Sequence, residues 1–284
     1  MIRQVWIGMA AVFLGTAATP VSAEMLAEVL PARLSLTTRP GETVREIVTV
    51  ANRGSEPMVV RLRWADLAMD TTGSLSLLRA GSLPATLDSL VAFEPSQFSL
   101  QPGESGAIHV ALTMPARGPA TRWGVLLSEV RSTVIPSGRF GPRVTAQLGS
   151  TFYLSRVPAD AIRPEVTDMR TGPCGHDSLA VRVRIRNAGE RHFYVSGQIA
   201  VADSAGRIVR SGDLPTGVVF PAATRDFTWT SDAGLAPGRY KVTATLDSGQ
   251  PELLVGETWM EWRGAAPPPV GPQLAGAPLP PGER

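Results

Sequence analysis

Lysine is nearly missing from this 284-residue chain: Lys241 is the only one, so 26 of the 27 basic residues are arginine. A GC-rich coding sequence produces that bias without any demand for phosphate-binding guanidinium groups. The net charge of +2 and the lack of an arginine cluster exclude the electrostatic footprint of a nucleic-acid binder. A single cysteine, Cys174, excludes an intramolecular disulfide and a thiolate-rich zinc cage. His109, His176 and His192 are the only histidines, which leaves little for a metal centre or for acid–base chemistry. No nucleophile elbow, phosphate-cradling glycine loop or paired-carboxylate motif stands out. The one tight cluster of reactive types, Cys174-Gly175-His176-Asp177, is a poor dyad, because neighbours in a turn seldom converge; it reads as a free thiol in a loop. The expectation is a protein that is not an enzyme and carries neither cofactor nor metal.

Glycine and proline are abundant instead. The 28 glycines and 25 prolines, beside only 18% charged residues, argue against long helices and for many strands joined by turns. At the start, Arg3, the apolar stretch Val5–Ala18 and the small residues Val21-Ser22-Ala23 form a secretory signal peptide over residues 1–23. The apolar stretch is too short to span a membrane comfortably, so no anchor is expected after cleavage. The compartment this implies is the periplasm, with secretion or surface association as alternatives. At the other end, seven of the prolines fall within residues 264–284, a tail that cannot donate to a sheet and is expected to be extended or disordered.

Between these ends the chain reads as strand after strand. Val60, Leu62 and Trp64 alternate with Arg61 and Arg63; Ile108, Val110 and Leu112 alternate with His109; Leu179, Val181, Val183 and Ile185 alternate with three arginines. Asp70-Thr-Thr-Gly73 and Asp203-Ser-Ala-Gly206 read as turns, and Leu87–Phe93 as a short helix or strand. His109 and His192 are expected on the surface, and Trp64, Trp123, Trp229, Trp259 and Trp262 in cores. The halves also echo each other. Val48-Thr-Val-Ala-Asn52-Arg-Gly54 matches Val183-Arg-Ile-Arg-Asn187-Ala-Gly189. For Leu100-Gln-Pro-Gly103 two counterparts compete, Leu235-Ala-Pro-Gly238 at the same offset and Phe220-Pro221, the second being preferred. Short strands and frequent turns without a disulfide fit an all-β chain of two tandem immunoglobulin-like sandwiches, over residues 24–160 and 161–263.

The stretch Phe98-Ser-Leu-Gln-Pro-Gly-Glu-Ser-Gly-Ala-Ile108-His-Val110-Ala-Leu112-Thr-Met-Pro115 resembles the N-terminal domain of the periplasmic pilus-chaperone (PapD-like) family. The Gly41 turn, the strand through Val48 and Val50 ending at Asn52, and the Trp64 strand are similar to that family's first strands. The resemblance implies two immunoglobulin-like domains and a chaperone-like assembly accessory that donates a strand to an exported pilus or surface subunit. Val144, Ala146 and Leu148 would then be the donated apolar residues, unless they face their own core. The family's basic cleft pair, which holds a subunit's terminal carboxylate, aligns with Leu36 and with Tyr153 or Phe152, none of them basic. Arg33, Arg143, Arg156 and Arg163 are the candidate substitutes. The alternative function is a structural or adhesive cell-envelope protein.

Overall fold

The computed structural model describes residues 26–133, 145–157, 162–174, 178–232 and 234–264. The stretch expected to be a signal peptide, nearly all of the proline-rich tail, Arg143, Val144 and His176 lie outside the described residues. Ten strands come first: β1 (Ala27–Leu30), β2 (Arg33–Thr38), β3 (Thr43–Asn52), β4 (Met58–Met69), β5 (Leu75–Arg79), β6 (Val91–Glu94), β7 (Gln97–Leu100), β8 (Ser105–Thr113), β9 (Thr121–Ser132) and β10 (Thr145–Arg156). Seven follow: β11 (Pro164–Pro173), β12 (Ser178–Asn187), β13 (Phe193–Ala202), β14 (Ile208–Val219), β15 (Thr224–Asp232), β16 (Gly238–Asp247) and β17 (Leu254–Trp262). A 3-10 turn, Asp88–Leu90, precedes β6, so the ambiguous Leu87–Phe93 segment is a turn and then a strand.

The strands form two immunoglobulin-like sandwiches. In the first, a four-stranded sheet, β1-β3-β8-β6, faces a six-stranded one ordered β2-β10-β9-β4-β5, with β7 also on β4. In the second, β11-β12-β15 faces β14-β13-β16-β17. Period-2 alternation sets what lies inside. Val48, Val60, Ile108, Val110, Leu126 and Phe152 share one core; Val181, Val183, Ile199, Phe227, Trp229 and Val242 share the other. Trp64 and Trp262 are core residues as expected. Trp259 is not. It is 55% exposed on β17, its indole 4.4 Å from the Arg239 guanidinium. Trp259 and Trp262 are three apart, so in a strand they take opposite faces and only one can be inside.

The internal echo has a structural basis in a buried asparagine. Asn52 donates to Glu56 O (2.8 Å) and Leu100 O (3.3 Å) and accepts from Gly54 N (3.0 Å). Asn187 donates to Arg191 O (2.7 Å) and Val219 O (3.1 Å) and accepts from Gly189 N (2.9 Å). Each amide closes its own Asn-x-Gly turn and ties that turn to a neighbouring strand end. The equivalence of Leu100 with Val219 makes Phe220-Pro221 the counterpart of Gln101-Pro102, as preferred from the sequence. Gly103 (φ +82°) is then matched by Ala222 (φ +58°), a left-handed position held by a residue with a Cβ.

Asn52→Ala or Asn187→Ala is expected to cost about 2–3 kcal/mol in denaturant unfolding, because each strands buried carbonyls as well as deleting bonds. Ala222→Gly should act oppositely and add up to about 1 kcal/mol by relieving the left-handed conformation.

Candidate functional site: an open strand edge beside a domain seam

The edge arises because the first strand changes sheets. β1 pairs with β3, with Leu30 opposite Thr49, whereas β2 joins the other sheet and lies parallel to β10, with Arg33 opposite Thr151. Among the described strands, only the second half of β10 therefore has a neighbour on that side. Thr151 N donates to Ala32 O (3.0 Å), and Arg156 N to Ala120 O (2.8 Å) at the β9 side. By alternation the main-chain groups of Thr145, Gln147 and Gly149 face away from β9. Among the described strands nothing pairs with them. The side chains of Ala146 and Leu148 are half-buried against their own sandwich core, so the own-core alternative describes where they sit.

Arg33 stands where β2 begins, at the end of this open edge. Its guanidinium carbon lies 4.2 Å from the Tyr194 ring centre, across the boundary between the two sandwiches. Arg156 instead donates to Ala116 O (3.2 Å), and Arg163 is exposed near the start of β11, so the structure does not gather these arginines into one site.

The boundary is an apolar seam. Leu67 and Tyr153 from the first sandwich are buried with Val218 and Phe220 from the second, flanked by Met69, Trp123, Tyr194 and Ala223. Trp123 stacks on Phe220 (4.5 Å, 7° between planes) and donates its indole N–H to Leu67 O (2.8 Å). Tyr153 stacks on His192 (4.3 Å, 20°), and Tyr194 meets both rings edge-on. A polar clasp sits beside the aromatics. Asp226 N donates to Thr71 O (2.6 Å), and Arg225 donates to Val218 O (2.8 Å). Gly73 (φ +90°) leaves the room Arg225 needs, since a Cβ there would fall 2.4 Å from its Nη2. Asp226 is held below the usual carboxylate range by hydrogen bonds from Arg184 at 2.7 and 2.9 Å.

The seam corrects two sequence expectations. Trp123 packs between sandwiches rather than inside one. His192, expected on the surface, is 8% exposed, with Nε2 3.3 Å from the Ser35 hydroxyl. Its stacking and hydrogen-bond partners, Tyr153 and Ser35, come from the other sandwich, which no local pattern announces. Of the positions aligned with the family's basic pair, Tyr153 is in the seam and Phe152 in the core, while Leu36 packs partly on that core. His109 is exposed on β8, as expected, and so is Cys174. Among the described residues no group of three His, Cys, Asp or Glu comes together as a metal site.

Burial, above all, and the nearby Arg191 and Arg33 charges lower the His192 pKa to about 4. The unfolded value is about 6.5, so the folded state binds fewer protons in between. Its contribution to stability is complete above pH about 6.5, falls as the pH drops towards 4, and totals about 3 kcal/mol. His192→Phe should remove that part of the slope, read as the difference between the two proteins' melting temperatures across the pH range.

No protein-family model and no curated protein matches the sequence. Among the solved structures that the chain resembles remotely are three fimbrial or pilus chaperone structures. A chain of the CsuC–CsuE chaperone–tip adhesion subunit pre-assembly complex, from archaic chaperone-usher Csu pili of Acinetobacter baumannii, is 10% identical at a TM-score of 0.45, covering 82% of this chain and 97% of that one. A chaperone–tip adhesin complex of CFA/I fimbriae biogenesis gives 14% and 0.44, covering 82% and 98%. The E. coli chaperone DraB gives 12% and 0.41, covering 82% and 96%. Each is a remote likeness.

Proposed function

We propose that this is an exported, non-enzymatic, chaperone-like assembly accessory that binds a pilus or surface subunit by β-strand pairing along the first half of β10. The observation that carries this reading is the open edge at Thr145, Gln147 and Gly149. Main-chain bonds there supply affinity, and the half-exposed Ala146 and Leu148 offer apolar cover to an added strand. The partner strand is taken to run as β2 does, parallel to β10. A partner strand running parallel to β10 points its C-terminus at the start of β2, so its terminal carboxylate arrives at Arg33. A guanidinium held over an aromatic ring on one face keeps its N–H edge free for that carboxylate.

The second reading is a structural or adhesive envelope protein. It is favoured by the apolar seam, which holds Tyr153, one of the two residues aligned with the second basic position of the pilus chaperones. Gln147→Pro separates the two. Proline deletes one outward N–H and is tolerated on a sheet edge, whereas Leu148→Asp would also disturb the core. A strand-pairing accessory should leave periplasmic extract with one subunit in a near 1:1 complex, and Gln147→Pro should abolish the complex while leaving the melting temperature close to that of the parent. Arg33→Glu should weaken it about tenfold, the size of one charge-assisted contact. An unchanged complex in Gln147→Pro rules out pairing at β10.

A further inference from the structure

The six-stranded sheet has another edge, closed by β5 on the side away from β10. Asp70 N donates to Ser74 O (3.1 Å), and the alternation that follows commits Ser76 and Leu78 to β4 and turns the main-chain groups of Leu75 and Leu77 outward. Among the described strands nothing pairs with them. Sheet edges are normally guarded by charge, proline or a bulge. Here β17 carries Glu257 and Glu261, β14 carries Arg210 and Asp213, and β11 carries Glu165, Asp168 and Arg170 together with a bulge. The run Leu75-Ser-Leu-Leu78 has no such guard, and Arg79 is its first charge.

The exposed side chains deepen the anomaly. Leu75 is 59% and Leu77 46% exposed, and both lie on the face of Met69 and Leu67, their partners in register. Leu67 and Met69 belong to the seam, so the leucine pair extends that apolar interface to the sheet edge.

We propose that β5 pairs antiparallel with β5 of a second copy of this chain, about a two-fold axis at Leu77. The strand is complementary to itself. Around that axis Leu77 faces Leu77 and Leu75 faces Arg79, so outward main-chain groups meet outward ones, and the Arg79 stem covers a leucine. A net charge of +2 offers little repulsion between copies. The pairing leaves β10, on the far side of the same sheet, untouched in each copy, so it stands independently of strand binding there.

Sedimentation velocity on the purified protein tests this, from micromolar to millimolar concentration and with a reductant to silence the exposed Cys174. A reversible dimer is expected, weakened at least about tenfold in the Leu75→Lys, Leu77→Lys double variant with its melting temperature retained. In a Cys174→Ser background, Leu77→Cys should form a disulfide-linked dimer on oxidation, because directly paired strand positions lie about 5.5 Å apart, within disulfide reach. A monomer at every concentration overturns the proposal, as does a dimer that the double variant leaves intact, or an absent cross-link. A dimer lost in Gln147→Pro but kept in the lysine variant places the contact on β10 and overturns it too.

Discussion

The crossing of the first strand from one sheet to the other, between Leu30 and Arg33, decides most of what this molecule presents to its surroundings. By pairing first with β3 and then with β10, one stretch of chain binds both sheets of the first sandwich together. The same crossing leaves β10 half covered. Ser150 donates to Pro31 O (2.9 Å) at the point where cover ends, so the boundary between paired and open edge is itself a bonded feature. Arg33 follows two residues later, at the junction of the open edge, the seam and the second sandwich.

The seam sets the other condition. Stacked rings with one indole and one imidazole bring apolar area without a demand for buried charge, and the cations of the region stay at its rim. Arg33 lies over Tyr194 and Arg225 is only half-buried beside glycines 73 and 217. Burial pushes the Tyr153 phenol up and the His192 imidazole down, so both rings stay neutral at ordinary pH. Neutral rings can stack closely where a buried lysine or arginine would need a counter-ion.

Local pattern carried the sandwiches because strand burial repeats every two residues. The alternations at Val60–Trp64, Ile108–Leu112 and Leu179–Ile185 mark inward faces that the structure shares. The paired Asn-x-Gly turns were legible for a related reason, since a side chain that closes its own turn leaves a short signature. The seam was not legible. His192 meets Ser35 and Tyr153, which belong to a first sandwich whose outer face gives no periodic sign of being covered. The β10 candidates were half visible: Ala146 and Leu148 alternate as read, but an edge is a property of the neighbouring strand, and sequence does not say where β2 begins. Trp259 shows the cost of judging by residue type, since its parity on β17 already placed it opposite Trp262.

The clasp between Thr71 and Asp226 and the ring stack between Tyr153 and His192 fasten the two sandwiches at separate points. The Trp123–Phe220 stack is a third fastening. The three anchor β9, β10 and the turn after β4 on one body to residues beside β13, β14 and in β15 on the other, so a change in the relative pose of the sandwiches has to strain a ring stack or a main-chain hydrogen bond.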